Sequence, residues 1–346
     1  MSGERPVGQR VALARYPEGD LQPSDFAIED QATPAIGDGE FLVRNLFVSV
    51  DPMLRLFVDA KPLGGSFPGL PLGTTVPGAA VGEIVESNNA EFPVGTTVEG
   101  RFGWQHYAKS NGAGVNIVSG ALGGPEQALG IGGLPGFTAY VGLHVADLKP
   151  GQTVLVSGAA GAVGSVVGPL AASRGIRAVG IASGPDKAHY LVEQAGYAAV
   201  ADRAAPDFAD QLKAALPDGA NVYFDNVGGP MLAQVIGLMA RGGLVLVSGL
   251  MAQYQGEAAS AVDNLPPVLR AVMGMGVRIQ GFTQVGQNAL RPGFEAEMAA
   301  LVTAGKIKAP IHIEEGIERL PHALWGLFNR SVAGKVVVRV AEPTRA

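Results

Sequence analysis

TVLVSGAAGAVGSVVGPLAASRGIRAVGIASGPDK, residues 153–187, decides the fold. Val154, Leu155 and Val156 form the uninterrupted apolar run of a strand buried on both faces, and Gly158, Gly161 and Gly164 punctuate a turn into a helix of small residues over 162–174. A second β-branched strand follows at 176–181. Glycines at such a turn permit close backbone approach, and the start of the helix offers unpaired N–H groups to a pyrophosphate. The pattern is that of half a dinucleotide-binding unit, although Ala159 stands at the first glycine position of G-x-G-x-x-G. The bland alternative is a glycine-rich turn without a ligand.

The end of the second strand bears on which nucleotide. A site built for NAD places Asp or Glu about 20 residues beyond the glycines to accept from the ribose 2′-hydroxyl. Here the stretch reads Ala182-Ser183-Gly184-Pro185-Asp186-Lys187, and no carboxylate ends the strand itself. Lys187 can oppose a 2′-phosphate and Ser183 can hydrogen-bond it, so NADP(H) is the expected cofactor. Lys187 as an ordinary solvated residue is the competing reading.

Outward from this unit, the rhythm of buried strands alternating with helices continues at 198–201, 222–224, 244–247 and 277–282, which predicts a six-stranded doubly wound parallel sheet, an α/β Rossmann domain over 132–308. Residues 1–131 lack that rhythm. Their short apolar runs (41–43, 46–50, 80–85), set between Gly, Pro and Asn clusters, predict an antiparallel β-barrel-like domain, and the tail from 309 to 346, with a helix near 322–328 and a β-branched end at 336–340, is expected to return to it. The loop at 61–78, with four prolines and five glycines, reads as a linker or as a wall over a cleft.

Composition narrows the function. With 346 residues, 47% hydrophobic and 16% charged, the chain can bury two cores. A net charge of −6 without a basic block argues against nucleic acid as partner. The chain has no cysteine, which removes disulfides, thiol nucleophiles and thiolate zinc sites, and its five histidines show no ligand spacing, so no metal is expected. Residues 154–172 are uncharged, but the strand–turn–helix pattern explains them better than a membrane span. The polar start MSGERPVGQR is unlike a signal peptide, and a cytoplasmic location is expected.

Seven ordered segments carry a family resemblance: SVDPMLR (49–55), GWQHYA (103–108), GFTAYVGL (136–143), KPGQTVLVSGAAGAVGSVVG (149–168), YFDNVGG (223–229), SGLMAQY (248–254) and AGKVVV (333–338). Together they resemble the zinc-independent branch of the medium-chain dehydrogenase/reductases, in particular its NADPH-dependent alkenal double-bond reductases. The resemblance implies a GroES-like β-barrel catalytic domain beside the Rossmann domain. It implies that Gly161, Ala162, Val163 and Gly164 hold the pyrophosphate and that Lys187 binds the 2′-phosphate. Asn226, Ser248, Gly249, Tyr254, and the backbone of Phe282, Thr283 and Gln284 would line the rest of the cofactor, with Thr138 near the nicotinamide. A homodimer joined through the 277–282 strand edge is a further expectation.

The departures are specific. Arg203 replaces a tyrosine that often assists at the 2′-phosphate, and either donates to that phosphate or faces water. Val332 replaces a cofactor-contacting asparagine, Gln255 stands where asparagine is common, and Met53 replaces a tyrosine in the substrate pocket. Asp51 and Arg55 have the spacing of a helical ion pair, the alternative being that Arg55 touches substrate. Trp104 and Tyr107 read as packing aromatics.

Zinc-dependent alcohol oxidation in this superfamily requires thiolate ligands, so a cysteine-free chain points to conjugate reduction of an α,β-unsaturated aldehyde or ketone. The candidate donor to the developing oxyanion is Tyr254, which alternatively only packs in the pocket. A quinone reductase of the same fold and a non-catalytic NADPH-binding sensor are the competing functions.

Overall fold

The β-branched and aromatic runs of the N-terminal third become seven strands: β1 (Val7–Leu13), β2 (Phe26–Ala32), β3 (Phe41–Ser49), β4 (Ala80–Ser87), β5 (Thr97–Gly100), β6 (Tyr107–Ser110) and β7 (Asn116–Ile117). The structure, a computed structural model, describes residues 6–60, 69–254, 265–329 and 332–343. Within it β1 and β2 form an antiparallel pair, and β3 pairs antiparallel with both β4 and β6. The apolar run at 41–43 and all but the last residue of that at 46–50 belong to one strand, whose register with β4 slips between Leu42 and Val43 and again between Asn45 and Phe47. The polar pair Arg44-Asn45 interrupts the apolar sequence, which is why one strand reads as two. Trp104 is fully buried beneath this sheet, tilted against Phe26, and its indole N–H donates to the Ser49 carbonyl at 3.2 Å.

From Gly130 the chain forms a second unit. Helix α1 (Leu134–Ala146) leads into β8 (Thr153–Val156), α2 (Gly164–Ser173), β9 (Arg177–Ala182), α3 (Pro185–Glu193), β10 (Ala199–Asp202), α4 (Phe208–Ala215), β11 (Ala220–Asp225), α5 (Pro230–Val235), β12 (Met239–Val247), α6 (Leu265–Met275), β13 (Arg278–Gly281) and α7 (Arg291–Thr303). All six strands are parallel, in the order β10-β9-β8-β11-β12-β13. This is the predicted doubly wound sheet. Residues 154–172, uncharged throughout, are accordingly a strand, a turn and a helix, and no helix among the described residues is long and apolar enough to cross a membrane. Val154, Leu155, Val222 and Phe224 are shut away from solvent, as central strands covered on both faces require. The strand order reverses between β8 and β11, and the crevice outside the carboxyl ends of these strands is where such sheets take ligands.

The tail adds β14 (Ile311–Glu315), α8 (Leu320–Asn329) and β15 (Lys335–Arg339). β15 pairs antiparallel with β3, Val337 opposite Ser49, so the tail completes the first sheet. The first unit therefore comprises the described residues up to Leu129, Tyr254, and those from Ile311 onward, and the second holds those from Gly130 to Gln253 and up to Pro310.

Candidate functional site

β8 ends at Val156, and the backbone turns at once through Gly158, whose φ of +59° favours glycine. The turn is fastened by the Ala159 amide donating to the Ile181 carbonyl on β9 (3.1 Å) and by the Gly161 amide donating to Gly158 (2.9 Å). At Gly164 a methyl group would stand 2.5 Å from the carbonyl oxygens of Gly158 and Ala159, so only glycine lets α2 begin this close to the turn. Buried Tyr197 donates its hydroxyl to the Gly164 carbonyl at 2.7 Å, and burial holds that phenol protonated by raising its pKa well above the ordinary value. Among the described residues, none accepts from the amides of Ala162, Val163 or Gly164. Three N–H groups at the start of a helix are a cradle for a phosphate.

Eighteen residues further on from the cradle, at the end of β9, a second positive feature is assembled. Arg203 donates from Nε to the Ser183 hydroxyl at 3.3 Å. Lys187 is half-buried, and its pKa is lowered by burial first and by the Arg203 charge second. Asp202, which precedes Arg203, accepts from the Gly184 amide (3.0 Å) and the Ala204 amide (2.9 Å), which lowers its own pKa. Among the described residues neither cation has an ion-pair partner within 4.0 Å. Two like charges in electrostatic reach of each other, one of them bonded to a hydroxyl, suit a dianionic phosphate. Arg203 also borders a cavity of about 560 Å³, with Phe208, Val227, Gly228 and Met231 supplying apolar walls of the kind a flat heteroaromatic ring would fill. Sequence reasoning missed these four residues. Phe208 and Met231 lie at the starts of α4 and α5, both of which follow strand ends, and that position was the available signal.

Asn226 sits at the reversal of strand order, its side-chain N–H₂ donating to the Ser157 carbonyl at 2.8 Å. Ser248 and Gly249 follow β12 and are fastened to the end of β11 by their amides, which donate hydrogen bonds to the Asp225 carbonyl at 2.8 and 3.0 Å. Phe282 turns its ring edge-on to Phe224 at 5.7 Å. The Thr283 hydroxyl accepts from the Val285 amide. Thr138 is half-buried on α1.

In the first unit the structure replaces one sequence expectation. Arg55 does not pair with Asp51; it pairs with Asp59 at 3.0 Å and donates to the Gly19 carbonyl at 3.1 Å. The cause is local: residues 52–56 form a 3₁₀ turn behind an extended Asp51, so positions 51 and 55 do not share a helical face. Asp51 instead accepts from Lys335 at 3.1 Å and from the Ser49 hydroxyl. Lys335 is buried, and it also donates to the carbonyls of Val50 (2.6 Å) and Val336 (2.9 Å). Arg55 is itself 7% exposed, while Met53 and Tyr254 are half-buried. Val332 packs on the first unit's core, an apolar role with no polar contact to offer. Gln255 lies outside the described residues.

Among the described residues no group of three or more His, Asp or Glu side chains is placed to hold a metal ion. Two family profiles match the chain: an N-terminal domain of oxidoreductase over residues 9–118, and a zinc-binding dehydrogenase over residues 162–299. The chain is 34% identical to the NADPH-dependent curcumin reductase of Escherichia coli (strain K12), covering 99% of both proteins. It is 34% identical to prostaglandin reductase 1 of Rattus norvegicus, over 94% of this chain and 97% of that one. The crystal structure of CurA in complex with NADPH from Vibrio vulnificus superimposes with a TM-score of 0.90 at 32% identity, covering 97% of this chain and all of that one.

Proposed function

Since the chain belongs to the zinc-independent NADPH alkenal reductase group of the medium-chain dehydrogenase/reductases, we propose that it reduces the carbon–carbon double bond of α,β-unsaturated aldehydes or ketones with NADPH. The observation that carries the cofactor choice is the pair of Lys187 and Arg203, two cations close enough to repel, with Arg203 on the Ser183 hydroxyl and no carboxylate partner among the described residues. Lys187 and Arg203 grip the 2′-phosphate, the amides at 162–164 take the pyrophosphate, and the apolar cavity beside Arg203 accepts the adenine. Asn226 and the backbone at 248–249 and 282–284 orient the remainder.

When bound, NADPH supplies a hydride to the β-carbon of the enal or enone. The α-carbon would take its proton from solvent water, which completes the reduction of the double bond. What the protein adds is a fixed orientation and a donor for the charge that develops on the carbonyl oxygen, a role we give to the Tyr254 hydroxyl. Removing such a donor costs about 10²–10³ in kcat. Met53 gives the substrate side an apolar thioether that adapts to hydrocarbon chains. A homodimer fits the exposed edge strand β13 and the exposed Leu269 and Met273 of α6, four residues apart on one helical face.

The test is NADPH oxidation by EDTA-treated protein with a medium-chain 2-alkenal or an enone, with the product identified. A saturated carbonyl product, a strong preference for NADPH over NADH and a large loss of kcat in Tyr254→Phe are expected. Turnover of quinones alone would replace this reading, as would tight NADPH binding with no turnover of any acceptor. Light scattering of the purified protein tests the dimer.

A further inference from the structure

Asp225 closes β11 and is 1% exposed. A single carboxylate oxygen accepts from the hydroxyls of Ser157 (2.8 Å) and Tyr223 (3.0 Å) and from the amides of Val227 (3.0 Å) and Gly228 (2.9 Å). All four donors are neutral, and no cation pairs with Asp225 among the described residues. A buried anion is tolerated only where hydrogen bonds replace its water, and here they come from more than one segment. Ser157 belongs to the turn after β8, and Val227 and Gly228 to the turn after β11. The Asp225 backbone carbonyl meanwhile accepts the Ser248 and Gly249 amides of the turn after β12. Ser157 relays the connection to Asn226, accepting that residue's backbone amide on its hydroxyl at 2.9 Å and its side-chain amide on its carbonyl. Burial and the neighbouring Asp225 charge raise the Tyr223 pKa, so its hydroxyl stays a donor.

We propose that Asp225 is a positioning residue for the cofactor cleft: it locks the turns after β8, β11 and β12 into one unit and sets the Asn226 side chain through Ser157, without touching the cofactor itself. The proposal rests on the NADP(H) reading above. If the lock is loosened, the free protein spends part of its time with the turns apart, and apparent cofactor affinity falls by the fraction of competent molecules.

Amide hydrogen exchange of the cofactor-free protein, with direct NADPH titration by fluorescence, tests this in wild type, Ser157→Ala and Tyr223→Phe. In Ser157→Ala we expect exchange to quicken about 10-fold at residues 227, 228, 248 and 249 while the strands β8 and β11 keep their protection, with the NADPH Kd rising about 10-fold. The kcat at saturating NADPH stays within about twofold, since no contact made only in the transition state is lost. Tyr223→Phe, which keeps the ring and removes one of four donors, shows the same pattern at about threefold, and it decides the matter if Ser157→Ala does not fold. Unchanged Kd in both variants, or exchange that quickens evenly across the whole sheet with a fall in Tm, would overturn the lock and leave Asp225 a general anchor of the fold. A wild-type protein that does not bind NADPH would instead defeat the reading of the cofactor, and the exchange contrast would still decide the lock.

Discussion

Lys335 and Lys187 are both cations whose burial lowers the pKa, yet they sit in opposite surroundings. Lys335, in the first unit, spends its donors on Asp51 and two backbone carbonyls. Lys187, in the second, has Arg203 as its charged neighbour and no carboxylate within ion-pair distance among the described residues. A buried charge met by protein acceptors is a structural clamp. A half-buried charge facing another cation is a repulsion that the fold tolerates and that an anionic ligand relieves.

Replacing each lysine would sharpen that contrast. The largest effect is expected at the clamp: Lys335→Met leaves Asp51 without its cation and should lower stability by about 3–5 kcal/mol, read as a drop in the urea midpoint with an unchanged slope. A loss below about 1 kcal/mol would mean the pair is no clamp. Next, Lys187→Ala should raise the Kd for NADPH about 10- to 100-fold, the worth of a charged hydrogen bond, with the NADH Kd and the urea midpoint hardly moved. If NADH binding weakened equally, Lys187 would not be reading the 2′-phosphate. Arg203 is exposed, so solvent screens it, and Arg203→Ala should weaken NADPH only about two- to fivefold, an effect that shrinks further in high salt.

The smallest effect concerns pH. In the free protein the Lys187 pKa is depressed, and a bound phosphate dianion raises it again. NADPH affinity should therefore be level below the depressed value and decline as pH rises from there toward the ordinary lysine range. The ratio of NADPH to NADH affinity across that alkaline window checks the sign, and a ratio that climbed with pH would contradict it.

The same two regions show what the amino-acid sequence discloses. The second unit was legible because buried parallel strands are continuous apolar runs and its glycine turn is dictated by contacts a few residues apart, such as Gly164 against Gly158 and Ala159. Ser183 and Lys187 could be singled out for the same reason, since they stand four residues apart between the end of β9 and the start of α3. Asp51 misled because its partner comes from 284 residues away and because a 3₁₀ turn took the place of the helix that would have brought it to Arg55. Ser157 and Asp225 passed unnoticed for a related reason: a serine before glycine and an aspartate before asparagine look like ordinary turn formers, and nothing local reveals that they meet across 68 residues.

The pairing of β3 with β15 also orders events during synthesis. Every described strand of the second unit leaves the ribosome before Lys335 does, so that unit can fold while the first sheet still lacks its last strand. Until the tail arrives, β3 waits with its 47–49 end unpaired on the edge that β6 covers only over 41–44, and Asp51 waits for its lysine. The earlier-made unit is thus the later-finished one, and the nascent chain stays exposed to misassembly and to chaperones at β3 until β15 has been made.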